Sequence, residues 1–237
     1  MRHVDLCSGI GGFALGFEWA KLSKPVLFCD IEPWSRQVLA KHWPDVPIAE
    51  DVKELANDPD RNVPDCDILS AGYPCQPFSL AGKRGGEEDP RHIWPYILRI
   101  VAFKRPSWCV FENVYGHLTL GLDQVLLDLE AEGYATRTFI VPACSVDAPH
   151  KRDRIWIIAK NVADTNSTRR EEQRWPQPAQ PEHQAPQCGG GWLPEPAVGR
   201  VANGIPKRVD RLKGLGNAIV PQIAQRIGET IKRADLQ

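Results

Sequence analysis

Long apolar runs are missing from this sequence: nowhere in its 237 residues do about 18 apolar side chains follow one another, so no segment reads as a membrane span. The start, Met1-Arg2-His3-Val4-Asp5, lacks the apolar stretch of a secretory signal and enters a strand at once. A Cys-x-x-Cys pair is missing too. The seven cysteines (Cys7, Cys29, Cys66, Cys75, Cys109, Cys144, Cys188) are odd in number and scattered, which removes the zinc and dithiol signatures and implies reduced thiols, with no metal site expected. Neither sign of charge is in excess: 29 Lys and Arg against 30 Asp and Glu leave a net charge of -1. That argues against a protein that coats nucleic acid, while leaving room for a local basic cleft. No internal repeat is evident. The length fits a single domain with a small insertion, and a cytoplasmic protein is the expectation.

What is present is organised around Gly72-Tyr73-Pro74-Cys75-Gln76-Pro77-Phe78-Ser79. It follows Cys66-Asp67-Ile68-Leu69-Ser70-Ala71, which reads as a buried parallel strand, so Cys75 falls in the loop beyond the carboxyl end of that strand, where open α/β sheets collect ligands and chemistry. Two flanking prolines stiffen the loop. Upstream, residues 4–7 read as a strand, Ser8-Gly9-Ile10-Gly11-Gly12 as a turn, and residues 13–20 as a helix with Phe13, Leu15, Phe17 and Trp19 available for packing. Val26-Leu27-Phe28-Cys29-Asp30 is a second strand ending in a carboxylate. Glycines that admit a ligand close to the backbone, a helix N-terminus and an acid at the end of the next strand make a nucleotide-cofactor arrangement. Gly9-x-Gly11-x-x-Ala14 with Asp30 downstream also satisfies a dinucleotide fingerprint, so S-adenosylmethionine and NAD both remain open on this region alone.

Residues 53–65 are polar and read as a surface loop, and residues 80–89 as a long, charged, glycine-rich one. Residues 92–103 have a helical apolar side of Ile93, Ile97, Leu98, Ile100 and Val101. Trp108-Cys109-Val110-Phe111 is a buried strand that delivers Glu112-Asn113-Val114 beside the thiol strand. Residues 122–132 are helical up to Gly133, and residues 134–141 alternate as a strand. In His150-Lys151-Arg152-Asp153-Arg154, alternation places His150, Arg152 and Arg154 on one face of a strand. Residues 161–207, rich in proline and glutamine and broken by Gly189-Gly190-Gly191, are irregular, and residues 222–232 form a last helix.

The Pro-Cys-Gln loop resembles that of the DNA (cytosine-5)-methyltransferases, and its companions occur in that family's order. Asp5-Leu6-Cys7-Ser8-Gly9-Ile10-Gly11-Gly12-Phe13 is similar to the first motif, Asp30-Ile31-Glu32 to the second and Glu50-Asp51-Val52 to the third. Glu112-Asn113-Val114 supplies the acid, and Arg152 and Arg154 match the Gln-x-Arg-x-Arg motif with His150 in place of Gln. Residues 208–221 resemble the last two motifs.

The resemblance implies a Rossmann-like S-adenosylmethionine-dependent methyltransferase fold with a mostly parallel, doubly wound sheet. Residues 1–160 and 208–237 would form the catalytic domain, and 161–207 a short target-recognition-like insertion. It implies an S-adenosyl-L-methionine site made by Cys7, Ser8, Gly9, Ile10, Gly11, Gly12, Asp30, Ile31, Asp51, Val52, Gly72, Pro74, Asn217 and Ala218. Within it Asp30 holds the ribose, with Glu32 as rival, Ile31 packs on the adenine and Asp51 meets its amino group. It implies DNA cytosine C5 methylation by a monomer on double-stranded DNA, in a bacterial or phage-infected cell. Cys75 is then the nucleophile, Glu112 the acid at N3, Arg154 the donor to O2, and Arg152 the group that orients the catalytic loop and the acid. Lys83 and Arg84, with Arg169, Arg170, Arg174, Trp175, Trp192 and Arg200, would reach DNA. An RNA cytosine methyltransferase and a catalytically silent DNA-binding relative are the alternatives.

Overall fold

Short apolar runs separated by polar turns become strands buried on both faces, the pattern of a parallel sheet covered by helices. In the computed structural model, which describes residues 1–74, 93–119, 121–148, 150–162 and 217–235, the strands are β1 (Arg2–Leu6), β2 (Lys24–Cys29), β3 (Ile48–Ala49), β4 (Ile68–Ala71), β5 (Trp108–Val114), β6 (Tyr134–Pro142) and β7 (Asp153–Asn161). They form one sheet in the order β3-β2-β1-β4-β5-β7-β6. The first five run parallel, and β7 enters antiparallel to both β5 and β6. A dinucleotide-binding sheet ends instead on a parallel sixth strand beside the fifth. β7 is the reversed strand, and β6 beyond it runs parallel to β5 again, which sets this edge apart from the dinucleotide-binding sheet.

The helices are α1 (Gly12–Trp19), α2 (Pro33–His42), α3 (Val52–Asn57), α4 (Pro59–Asn62), α5 (Trp94–Lys104), α6 (Leu122–Ala131) and α7 (Pro221–Asp235). On one face of the sheet Phe13 and Phe17 of α1 pack with Trp108, Val110 and Trp156 of the strands and Ile223, Ala224 and Ile231 of α7. On the other face Val52, Leu55, Ile97, Ile100, Val125 and Leu129 of α3, α5 and α6 cover Leu69, Phe111 and Ile157. Small residues let α1 and α7 touch: a Cβ on Gly16 would strike the Pro221 carbonyl and lie 2.6 Å from the Ala224 Cβ. Trp108 Nε1 donates to Asp235 Oδ1 (2.9 Å) and fastens the far end of α7. Among the described residues no helix is long and apolar enough to cross a membrane.

Three local expectations are corrected. Residues 53–65 are not a plain loop, because α3 and α4 occupy most of them. Val52, Leu55 and Ala56 are buried at helical spacing, and Asp51 caps α3 by accepting the Lys53 N–H at 2.9 Å. Six residues are too few for periodicity to stand out beside Asn57-Asp58-Pro59-Asp60. Trp19, expected in the core with Phe13 and Phe17, is 47% exposed at the end of α1. His150, Arg152 and Arg154 do not share a strand face, because β7 begins only at Asp153 and Arg152 turns away with φ 39°.

Candidate active site

The carboxyl ends of β1, β2, β4 and β5 open on one cleft of about 770 Å³. That volume suits a ligand of nucleoside size or larger. Its lining includes Cys7, Gly9, Asp30, Ile31, Asp51, Val52, Gly72, Pro74 and Asn217 from the expected cofactor set, together with Glu112 and Arg154. One space therefore joins the loops that resemble cofactor motifs to the acid and one of the arginines. Cys75 lies outside the described residues, as do Lys83, Arg84 and the residues of 161–207 singled out above. Pro74, its immediate neighbour in sequence, lines the cleft.

On the cofactor side the turn is held from beneath. Asp30, buried at the end of β2, accepts the Gly9 N–H through Oδ2 (2.7 Å) and the Glu32 N–H through Oδ1 (2.9 Å). Burial raises its pKa, and these two N–H groups oppose the rise. Each oxygen keeps acceptor capacity for a ligand hydroxyl. Ile31 is 61% exposed at the mouth of the cleft, the most exposed large apolar side chain among the described residues. An apolar surface held out there beside Trp34 is a platform for a planar ring.

The remaining expected cofactor residues do not line the cleft. Ser8 is buried, donates to the Asp5 carbonyl (2.5 Å) and accepts the Cys29 N–H (3.2 Å). Ile10, Gly11 and Gly12 do not line the cleft. Gly11 and Gly12 are glycines for packing, since a Cβ would fall 2.5 Å from the Trp43 ring and 2.7 Å from Ile219 Cβ respectively. Gly9, with φ 54° and open space where a Cβ would stand, is the one of the three that faces the cleft. Ala218 accepts a hydrogen bond from Arg152 Nη2 at 2.8 Å.

On the chemical side, cross-strand register brings acid and base together. Glu112 pairs with Trp156 and Val114 with Arg154, so Glu112 and Arg154 are diagonal neighbours on one face. Arg154 Nε meets Glu112 Oε1 at 3.0 Å, with both side chains largely buried. Burial pushes the Glu112 carboxyl up to about 7, against the pull of Arg154 and Arg152. Burial and the Arg154 charge lower Arg152, while Glu112 opposes them. Arg152 makes its hydrogen bond to Ala218, at the start of the C-terminal segment, rather than to the acid.

Sequence reasoning gave no site role to Trp34, Ser35, Glu50, Lys53, Tyr73, Ile93 or Asn113, which also line the cleft. Tyr73 and Asn113 sit inside motifs already recognised, so their position was the available signal. Tyr73 anchors the root of the thiol loop through a 3.0 Å hydrogen bond between its hydroxyl and His117 Nε2, and by packing on Trp94 and Phe111.

The model of the family described as C-5 cytosine-specific DNA methylase matches residues 1–189. The type II methyltransferase M.BsuFI of Bacillus subtilis is 37% identical over 163 residues, covering 67% of this chain and 39% of the relative. The type II methyltransferase M.NlaIV of Neisseria lactamica is 37% identical over 175 residues, covering 66% and 40%. The chain thus spans about two fifths of the length of these relatives. Among solved structures, the Dnmt2 methyltransferase of S. pombe superposes with a TM-score of 0.59 at 25% identity, over 68% of this chain and 50% of that one. The DNMT2 of Spodoptera frugiperda gives 0.59 at 23% identity, over 72% and 53%, a likeness of fold. The reversed strand β7 and these superpositions make the fold a Rossmann-like methyltransferase fold.

Proposed function

Since the chain belongs to the C-5 cytosine-specific DNA methylase family, we propose that it transfers a methyl group from S-adenosyl-L-methionine to C5 of a cytosine flipped out of duplex DNA. The observation that carries this reading is the Glu112–Arg154 pair, buried in the same cleft as Asp30, Ile31 and Asp51. The residues present suit the cofactor: Asp30 for the ribose hydroxyls, Ile31 and Trp34 for the adenine faces, Asp51 for its amino group, and Gly9 and Gly72 where backbone runs along the wall. When bound, S-adenosylmethionine supplies an electrophilic methyl group.

C5 of cytosine is a poor nucleophile, so the ring needs activation. The Cys75 thiolate adds to C6, forming an S–C6 bond and leaving an electron pair shared between C5 and N3. Glu112, raised to about 7, is partly protonated near neutral pH and donates to N3 as charge develops there. Arg154 donates to O2. Arg152, through the Ala218 carbonyl, ties this wall to the segment carrying Asn217. After methylation a base takes the C5 proton and the C6–S bond breaks, returning the thiolate. Extruding the base costs roughly a few kcal/mol, which phosphate contacts must offset.

Transfer of tritium from labelled S-adenosylmethionine to duplex DNA, run beside tRNA, tests substrate class. Duplex DNA is expected to accept label, and exclusive labelling of tRNA would move the reading to the RNA enzyme. DNA containing 5-fluorocytosine should be trapped covalently by the wild type and not by Cys75→Ala. Normal methylation by Cys75→Ala would overturn the mechanism.

A further inference from the structure

The ladder between β2 and β3 ends at Cys29 and Ala49, leaving the Asp30-Ile31 turn and the Glu50-Asp51 turn as two loops that flank the cleft. Beyond the Asp30 N–H, which reaches the Ala49 carbonyl at 3.2 Å, it is one side chain of α2 that joins them. Arg36 Nη1 donates to the carbonyls of Asp30 (2.9 Å) and Ile31 (2.8 Å), and Arg36 Nη2 meets Glu50 Oε2 at 3.0 Å. The Arg36 side chain is 22% exposed, whereas that of Glu50 is 63% exposed.

We infer that Arg36 is a positioning residue for the adenosyl end of the cofactor. It fixes the Asp30-Ile31 backbone from one side of its planar fork and the Glu50-Asp51 turn from the other. This rests on the methyltransferase reading above. The physical reason is geometric. Asp30 and Ile31 present a carboxylate and an apolar face, Asp51 presents a second carboxylate, and the turns carrying them lie just past the last rung of the β2–β3 ladder. A guanidinium offers donors in fixed directions to three acceptors, whereas an ammonium on a flexible stem cannot span them in one plane. Held in advance, the two turns lose little freedom when a nucleoside enters.

The test is calorimetric binding of S-adenosyl-L-homocysteine and of 5′-methylthioadenosine to the full chain and to Arg36→Ala, Arg36→Lys and Glu50→Gln, with Arg61→Ala as a surface control. Arg36→Ala is expected to weaken both probes by about tenfold or more and by the same factor, with Arg36→Lys recovering part of the loss. Glu50→Gln, which loosens only one side of the fork, should cost roughly threefold. In turnover the loss belongs in KM for the cofactor, with kcat at saturation little changed. Binding by Arg36→Ala at the wild-type level, or a loss confined to S-adenosyl-L-homocysteine, would overturn the inference. Should Arg36→Ala not fold, Arg36→Lys and Glu50→Gln at wild-type melting temperature decide by the same criteria. If the wild type binds neither probe, the methyltransferase reading itself falls, which is a different result from a bound wild type with an indifferent variant.

Discussion

At the scale of single residues, burial governs the titration of the carboxyls that matter. Glu112 sits at about 7 because the wall around it disfavours charge more than Arg154 and Arg152 favour it. Its protonated form donates to N3 in the proposed reaction, so single-turnover rates should decline on the alkaline side of about pH 7. Glu112→Gln should lower the rate by roughly 10²- to 10⁴-fold and remove that decline. An unchanged profile in the variant would assign the decline to another group. Asp5 obeys the same physics away from the cleft. Wholly buried on β1, it accepts from Ser70 Oγ at 2.6 Å, and Ser70 Oγ shares a second hydrogen bond with His3 Nε2 at 2.7 Å. Burial pushes Asp5 up to about 7 and His3 down to about 3. The chain of three is therefore neutral at its histidine end near pH 7.

At the scale of elements, α1 and α7 are one unit even though most of the chain separates them. Gly16 leaves no room for a methyl group against Pro221 and Ala224, and a Cβ on Gly228 would lie 3.0 Å from the Cβ of Ala20, just past the end of α1. Gly16→Ala is accordingly expected to destabilise the fold by about 1–3 kcal/mol, read from the midpoint of urea unfolding at constant slope. A neutral result would mean that the helices part without cost. Because Gly12 touches Ile219 just before α7, the same variant should weaken S-adenosyl-L-homocysteine measurably, a consequence that a purely local defect would not produce. Arg152 couples the other wall to this segment through Ala218, and its left-handed backbone aims the side chain there. Arg152→Ala should leave cofactor binding weaker as well as slowing methyl transfer, since one bond joins both sides; an effect on rate alone would place Arg152 only at the target base.

At the scale of the whole molecule, Asp5 and Glu112 both have folded pKa values raised above those of the unfolded chain, each to about 7. The folded state then holds more protons than the unfolded state between about pH 4 and 7, so the stability these groups contribute is complete below the unfolded values and is lost as pH rises through 7. The melting temperature is expected to fall from pH 5.5 to pH 8, and Asp5→Asn, neutral at both, should flatten the fall; equal slopes in the two proteins would exclude Asp5 as the source. Sequence alone determined the identity of the β1, β2, β4 and β5 strands and the order of the motifs, because apolar runs and turn residues act within a few positions of themselves. It did not determine that β7 enters reversed between β5 and β6, that Arg154 rather than Arg152 meets the acid, that Gly12 answers to Ile219 and Gly16 to α7, or that Arg36 bridges two turns. Those outcomes depend on strand register and on atoms brought together from distant positions, and local periodicity carries no record of which partner a side chain will find.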